Sequence, residues 1–196
     1  MAKSSTRAAT DQMLVERARG GDREAFGELY DRHVMPVYRH VYCMVNDRQL
    51  AEDLTAQTFL QALQAIARYE ERGLAFRAWL LRIAKNLSIN HWRVQRNHHS
   101  SRNDGSEIAI SSTEVLCEAK LREEEVWRVV YSLGGDRRQV IILRFVDGLS
   151  YPEVAQVLGK SIGAVRAIQY RALSALRRAL EDGNLGHDSL GAGRLS

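Results

Sequence analysis

The stretch Arg138–Leu180 constrains the fold of this chain more than any other, because it lays out two helices around a tight turn. Ser150 is a good helix N-cap, Glu153 three residues on completes a capping box, and Pro152 falls in the first turn, where a missing N–H is tolerated. Small Ala155 permits close helix crossing, and Gly159 suits the turn between the helices. Ser161 then caps a second helix that carries no carboxylate until Glu181. Its pattern predicts Ile162, Val165, Leu173 and Leu176 on the buried face and Arg166, Gln169, Tyr170, Arg177 and Arg178 outside. A helix-turn-helix with this face suits the DNA major groove, where Arg and Gln can read base edges.

The distribution of charge says more than the net value of +4. No carboxylate occurs from Arg72 to Asn103, yet Arg72, Arg77, Arg82, Lys85, Arg93, Arg96 and Arg102 all fall there. A second acid-free stretch, Val154–Leu180, holds Lys160, Arg166, Arg171, Arg177 and Arg178. A solvated surface helix normally mixes signs, so two such stretches point to two contacts with a polyanion.

Helical periodicity extends over most of the chain and predicts an all-α protein of two small helical domains joined by a flexible linker. After a disordered start at Met1–Thr10, a first domain spans Asp11–Arg96. Its helices are Asp11–Arg19, Arg23–Tyr42, Gln49–Ile66 with the stripe Leu50, Leu54, Thr58, Leu63 and Ile66, and Ala75–Arg96. Asn46-Asp47 marks a turn, and Tyr69–Leu74 a charged loop. Periodicity fails over Asn97–Thr113, the linker, and resumes over Glu114–Asp182, the second domain. Gly183–Ser196 reads as a disordered tail.

Enzyme chemistry is not expected. The sequence has no phosphate-cradling Gly loop with Lys and no nucleophile with His and acid in context. The adjacent pair His98-His99 lacks partners at metal spacing, so neither metal nor other cofactor is implied. Cys43 and Cys117 each sit in an amphipathic helical pattern and read as buried free thiols. No apolar run approaches the roughly 20 residues that span a bilayer, so no membrane insertion and a cytoplasmic location are expected.

The order of these pieces closely resembles the extracytoplasmic-function sigma factors of bacterial RNA polymerase, which keep sigma regions 2 and 4. In region 2 the resemblance rests on Phe26–Tyr30, Ala51–Leu60 and Phe76–Asn86, and in region 4 on Gln139–Phe145, Gly148–Tyr151 and Arg171–Arg177. It implies a protein that directs core polymerase to promoters without bond chemistry of its own. Its partners would be the largest-subunit clamp helices, the flap region, promoter DNA and an anti-sigma factor. On that likeness Asp53, Gln57, Phe59 and Gln61 would bind core polymerase. Tyr69, Glu70, Arg72, Arg77, Arg82, Lys85, Asn86, Asn90, Arg93 and Arg96 would hold the −10 element as separated strands. Ser161, Arg166, Gln169, Tyr170, Arg171, Arg177 and Arg178 would bind the −35 duplex. Trp79 reads mainly as core, whereas Trp92 is balanced between core and a base-stacking platform.

The chain also departs from the family. Gly134-Gly135 stand where the family usually has Leu-Pro, predicting a looser helix start, and Asn90 replaces the usual Asp. Gly163–Tyr170 lacks the common Thr-Val-Lys-Ser-Arg type of run, so promoter preference does not transfer. No appended ligand-binding domain is expected after region 4. The competing reading is a conventional helix-turn-helix regulator that binds duplex operators without core polymerase. It leaves the Asp53–Leu60 block without a purpose.

Overall fold

The computed structural model describes residues 10–70, 75–99 and 126–188, with side chains to Val94 in the fourth helix and Glu181 in the last. Among the described residues every regular element is helical. They fall into two compact units, the first four helices with Gln156–Leu158 in one and the remaining described segments in the other.

In the first unit the helices are α1 (Asp11–Arg19), α2 (Arg23–Val45), α3 (Arg48–Ala65) and α4 (Phe76–His99), with a 3-10 turn at Ile66–Arg68. Their starts are set by short polar side chains. Thr10 Oγ1 accepts from the Met13 N–H, Asp22 Oδ1 from Ala25 and Asp47 Oδ1 from Leu50. The Ala25 N–H and then Arg17 hold the Asp22 carboxyl below its ordinary pKa. α2 ends where Asn46 takes a left-handed conformation, φ 54°, which Asn tolerates.

α2 is the central element and packs on α1, α3 and α4. Leu14, Leu29, Val37, Val41, Leu54, Ile66, Phe76 and Leu80 form the buried apolar set. Buried His33 meets Asp11 at 2.6 Å (Nε2 to Oδ2) and lies edge-on to Phe76, so one ring joins α1, α2 and α4. Cys43 is buried and in no disulfide among the described residues, and Cys117 lies outside them.

The second unit contains α5 (described over residues 126–132), α6 (Gly135–Ile141), a π turn (Ile142–Val146), α7 (Tyr151–Leu158) and α8 (Ile162–Asp188). Val130, Leu133, Ile141, Ala172 and Leu176 cluster in its core, flanked by Trp127, Val129 and Ala175. Gly134 starts α6 with no side-chain cap, as the double glycine predicts.

Several boundaries and faces differ from expectation. α4 continues to His99, past the expected linker start at Asn97, and α8 to Asp188, past the expected tail start at Gly183. In α3, Leu63 is 48% exposed, because the buried stripe is Ala51, Leu54, Thr55, Thr58, Phe59 and Ala62. In α8, Ile162 and Leu173 are exposed, and Val165, Ile168, Ala172 and Leu176 are buried. Both helices hold more apolar residues than one face can cover, so periodicity alone left the phase open. Met1–Ala9, residues 71–74 of the Tyr69–Leu74 loop, residues 100–125 and residues 189–196 lie outside the described residues.

Leu29→Ala should cost about 2–5 kcal/mol, as expected for a fully buried leucine. Leu63→Ala should cost under about 0.5 kcal/mol if that side chain faces solvent. Urea unfolding of both variants measures the difference.

Candidate nucleic-acid interface

The turn between α7 and α8 is built from backbone constraints. Ser150 and Glu153 form a reciprocal cap: the Ser150 N–H and hydroxyl donate to Glu153 Oε2 at 2.8 and 2.6 Å, and the Glu153 N–H donates to Ser150 Oγ at 3.4 Å. Gly159 ends α7 in the left-handed region, φ 65°, and the Lys160 N–H closes back on the Ala155 carbonyl at 2.9 Å. Ser161 Oγ then accepts from the Ala164 N–H at 3.1 Å, starting α8. Lys160 also pairs with Asp136 at 2.9 Å, tying the turn to α6.

α8 opens with no acidic residue in its first turn, so its N-terminal amides present positive potential to an incoming anion. Arg166 is exposed, with its guanidinium carbon 5.1 Å from the centre of the Tyr151 ring. Arg144, from the π turn, lies 4.2 Å from the same ring and donates to the Leu149 carbonyl. Tyr151 therefore links the π turn to α8, and the cation–π contact restricts the rotamers of Arg166. Tyr170 is 74% exposed, and Arg171, Arg177 and Arg178 are exposed too. Glu181 accepts from Arg177 at 2.7 Å and raises its pKa, so Arg177 is the most neutralised of the three.

Gln169 sits elsewhere than expected. It is half-buried, with Oε1 enclosed and lacking a hydrogen-bond partner, so its carbonyl oxygen is turned away from solvent. Position 169 falls beside the buried stripe of 165, 168, 172 and 176, a phase visible once that stripe is known.

In the first unit, Arg82, Asn86, Asn90 and Arg93 recur at helical spacing on the exposed face of α4. Arg93 donates to Asn90 Oδ1 at 3.2 Å. Arg77 and Lys85 are half-buried. Trp92 is 39% exposed beside Ile89 and Val94, whereas Trp79 packs into a ring cluster with Tyr69 and Phe76. Tyr69 is buried in that cluster rather than displayed, and exposed Glu70 follows it. Arg72 and the Arg96 side chain lie outside the described residues.

α3 presents Asp53, Gln57 and Gln61 to solvent with Leu60 and Leu63 among them. Phe59 does not share this face. It is buried edge-on against Tyr30, ring centres 4.7 Å apart, so it holds α3 to α2. Its spacing from Thr55 and Ala62 is the sequence signal for that placement. Among the described residues no group of three or more His, Cys, Asp or Glu is placed to hold a metal. No described helix is long and apolar enough to cross a membrane.

Comparison with known proteins follows the same division. The Sigma-70 region 2 family model matches residues 29–98, and the Sigma-70, region 4 model matches residues 132–178. The ECF RNA polymerase sigma factor BldN of Streptomyces coelicolor is 39% identical over 173 residues, 86% of this chain; the match spans 65% of BldN's length, just short of two thirds. The ECF RNA polymerase sigma-E factor of Salmonella typhimurium is 34% identical, over 85% of this chain and 92% of that protein. The structure of CnrH in complex with the cytosolic domain of CnrY superposes with a TM-score of 0.68 at 27% identity, covering 88% of this chain and 97% of that one.

Replacing the cap residue, Ser150→Ala, should cost about 0.5–2 kcal/mol by urea unfolding, because the first turn of α7 loses its side-chain acceptor. An unchanged midpoint would mean that the cap contributes nothing to this turn.

Proposed function

The chain belongs to the sigma-70 family as an extracytoplasmic-function sigma factor, and we propose that it binds core RNA polymerase through α3, the −10 element through α4 and the −35 element through α8. The observation that carries this reading is the pair of exposed basic faces on two separate helical units, each inside its matching sigma region. A conventional operator-binding regulator needs one such face and no surface like that of α3.

The residues divide by chemistry. Arg166, held by Tyr151, presents a planar donor fork suited to a guanine edge. Arg171 and Arg178 supply phosphate contacts, which position the duplex but carry no sequence information. On α4, Arg82 and Arg93 hold backbone phosphates, while Asn86 and Asn90 meet bases as the strands part. Trp92 adds a half-exposed stacking face beside them. Tyr69, Phe76 and Trp79 form a three-ring cluster that anchors the start of α4. No bond is made or broken by the protein, which works in the cytoplasm as a regulatory subunit.

Asp53, Gln57 and Gln61 form the polar part of the polymerase-binding surface, and Leu60 and Leu63 its apolar part. An anti-sigma factor competing for this surface would keep the protein from polymerase. CnrH, solved with the cytosolic domain of CnrY, is the related case of a bound protein partner.

Two measurements test the assignment. The double variant Asp53→Ala with Gln57→Ala should keep its helical circular dichroism yet co-elute poorly with core polymerase, and undiminished co-elution would move the contact elsewhere. Arg166→Ala should lose about 1–3 kcal/mol of discrimination at one −35 base pair in competition binding, and Tyr151→Leu part of that. Uniform weakening across all sequences would instead make Arg166 a phosphate contact.

A further inference from the structure

Arg144 precedes the acid-free stretch that contains α8, yet the fold brings it to the same aromatic ring as Arg166. Val140, Ile141, Ile142 and Leu143 are all buried, more consecutive residues than one α-helical face hides, and the second half of that run lies in the wider π turn. The Asp147 N–H closes this turn on the Ile142 carbonyl and the Leu149 N–H on the Leu143 carbonyl, both at 3.0 Å. Arg144 emerges from it half-buried and donates to the Leu149 carbonyl. Its guanidinium carbon lies 4.2 Å from the centre of the Tyr151 ring, and that of Arg166 lies 5.1 Å from the same centre. We propose that Arg144 is a positioning residue for −35 recognition: it fixes the Tyr151 ring, and the ring fixes where the Arg166 donor fork lies.

A ring restrains a guanidinium without consuming its donors. Among the described residues Arg166 has neither a carboxylate partner nor a hydrogen-bond acceptor, so its whole fork remains for a base edge. An ion pair would order the side chain by occupying that fork and offsetting its charge, as Glu181 does for Arg177 at 2.7 Å. The contact with Tyr151 orders it from the flat side instead.

The ring must itself be held for this to work. Tyr151 opens α7 directly after the Ser150 cap, so its backbone is fixed and its side-chain torsions are what is left to settle. Arg144 settles them from behind. It is tied to the same turn through the Leu149 carbonyl, its Nε is enclosed without an acceptor, and no described carboxylate competes with the ring for its charge. Two cations on one ring also repel each other. Arg144 is the pinned member of the pair, so exposed Arg166 is the one directed outward. Half-burial and the bond to Leu149 leave Arg144 poorly disposed to grip DNA directly, and a direct grip would respond differently to salt.

The proposal rests on the reading that Arg166 discriminates a −35 base pair, and the test keeps the two apart. The full chain is titrated, across a range of salt, with a −35 duplex and with a duplex changed at the base pair where Arg166→Ala loses discrimination. Arg144→Met, which fills similar space without the charge, should lose part of the roughly 5- to 150-fold that such a contact supplies, with the salt slope unchanged. In the Arg166→Ala background the same change should cost nothing further. Arg144→Lys, which keeps a cation on the ring, should recover discrimination. An equal loss in both backgrounds would make Arg144 merely structural and overturn the proposal. A uniform loss on both duplexes with a shallower salt slope would also overturn it, making Arg144 a phosphate contact. The second readout is the Nε–H NMR signal of Arg166 in the chain without DNA, which the Tyr151 ring shifts. Arg144→Met should move that signal toward those of the other exposed arginines, and an unmoved signal would overturn the proposal. If Arg166→Ala kept full discrimination at every base pair, the base-reading role would fail, while the signal would still decide whether Arg144 places Arg166.

Discussion

The phase of α8 governs what the second unit can do. Val165, Ile168, Ala172 and Leu176 recur at spacings of three and four and are all buried. Their burial fixes the rotation of the helix about its own axis, and every polar position follows from it. Arg166, Tyr170, Arg171 and Arg178 face outward because the core takes the opposite side. A shift of one residue would bring Arg166 into the core, and burying an unpaired guanidinium is far more costly than exposing a leucine. Exposed Ile162 and Leu173 are tolerated on those terms.

The first unit obeys the same rule through different residues. Leu80 and Ala84 bury one side of α4 while Arg82, Asn86, Asn90 and Arg93 occupy the other. Its start is held by aromatic packing, with Tyr69 meeting Trp79 at 4.8 Å and Phe76 at 5.8 Å between ring centres. α3 turns Thr55, Thr58 and Phe59 inward, and this leaves Asp53, Gln57 and Gln61 at the surface.

Most of the architecture was legible in the sequence, because caps and periodicity are local. Ser150 and Ser161 cap the helices that follow them, as their place in the sequence predicts, and Asp22 and Asp47, read from the sequence only as breaks between helices, are caps too. Contacts between elements were less legible. Nothing local links Tyr151 to Arg166, since this pair meets only when helices cross. Phe59 and Tyr69 were assigned outward by their place in a family pattern, but aromatic rings bury where a neighbouring helix offers a ring or a cavity. Gln169 shows the same limit: its neighbours in sequence are exposed, yet its carbonyl oxygen is enclosed.

The central claim is that these two basic faces act together, through polymerase, to start transcription. Run-off transcription with purified core polymerase on a duplex fragment carrying both promoter elements tests it most directly. Core polymerase alone should give no discrete product, and adding the chain should give a single transcript that disappears when either element is scrambled. A chain that bound the same fragment specifically but gave no transcript with core polymerase would contradict the account and leave an operator-binding regulator in its place.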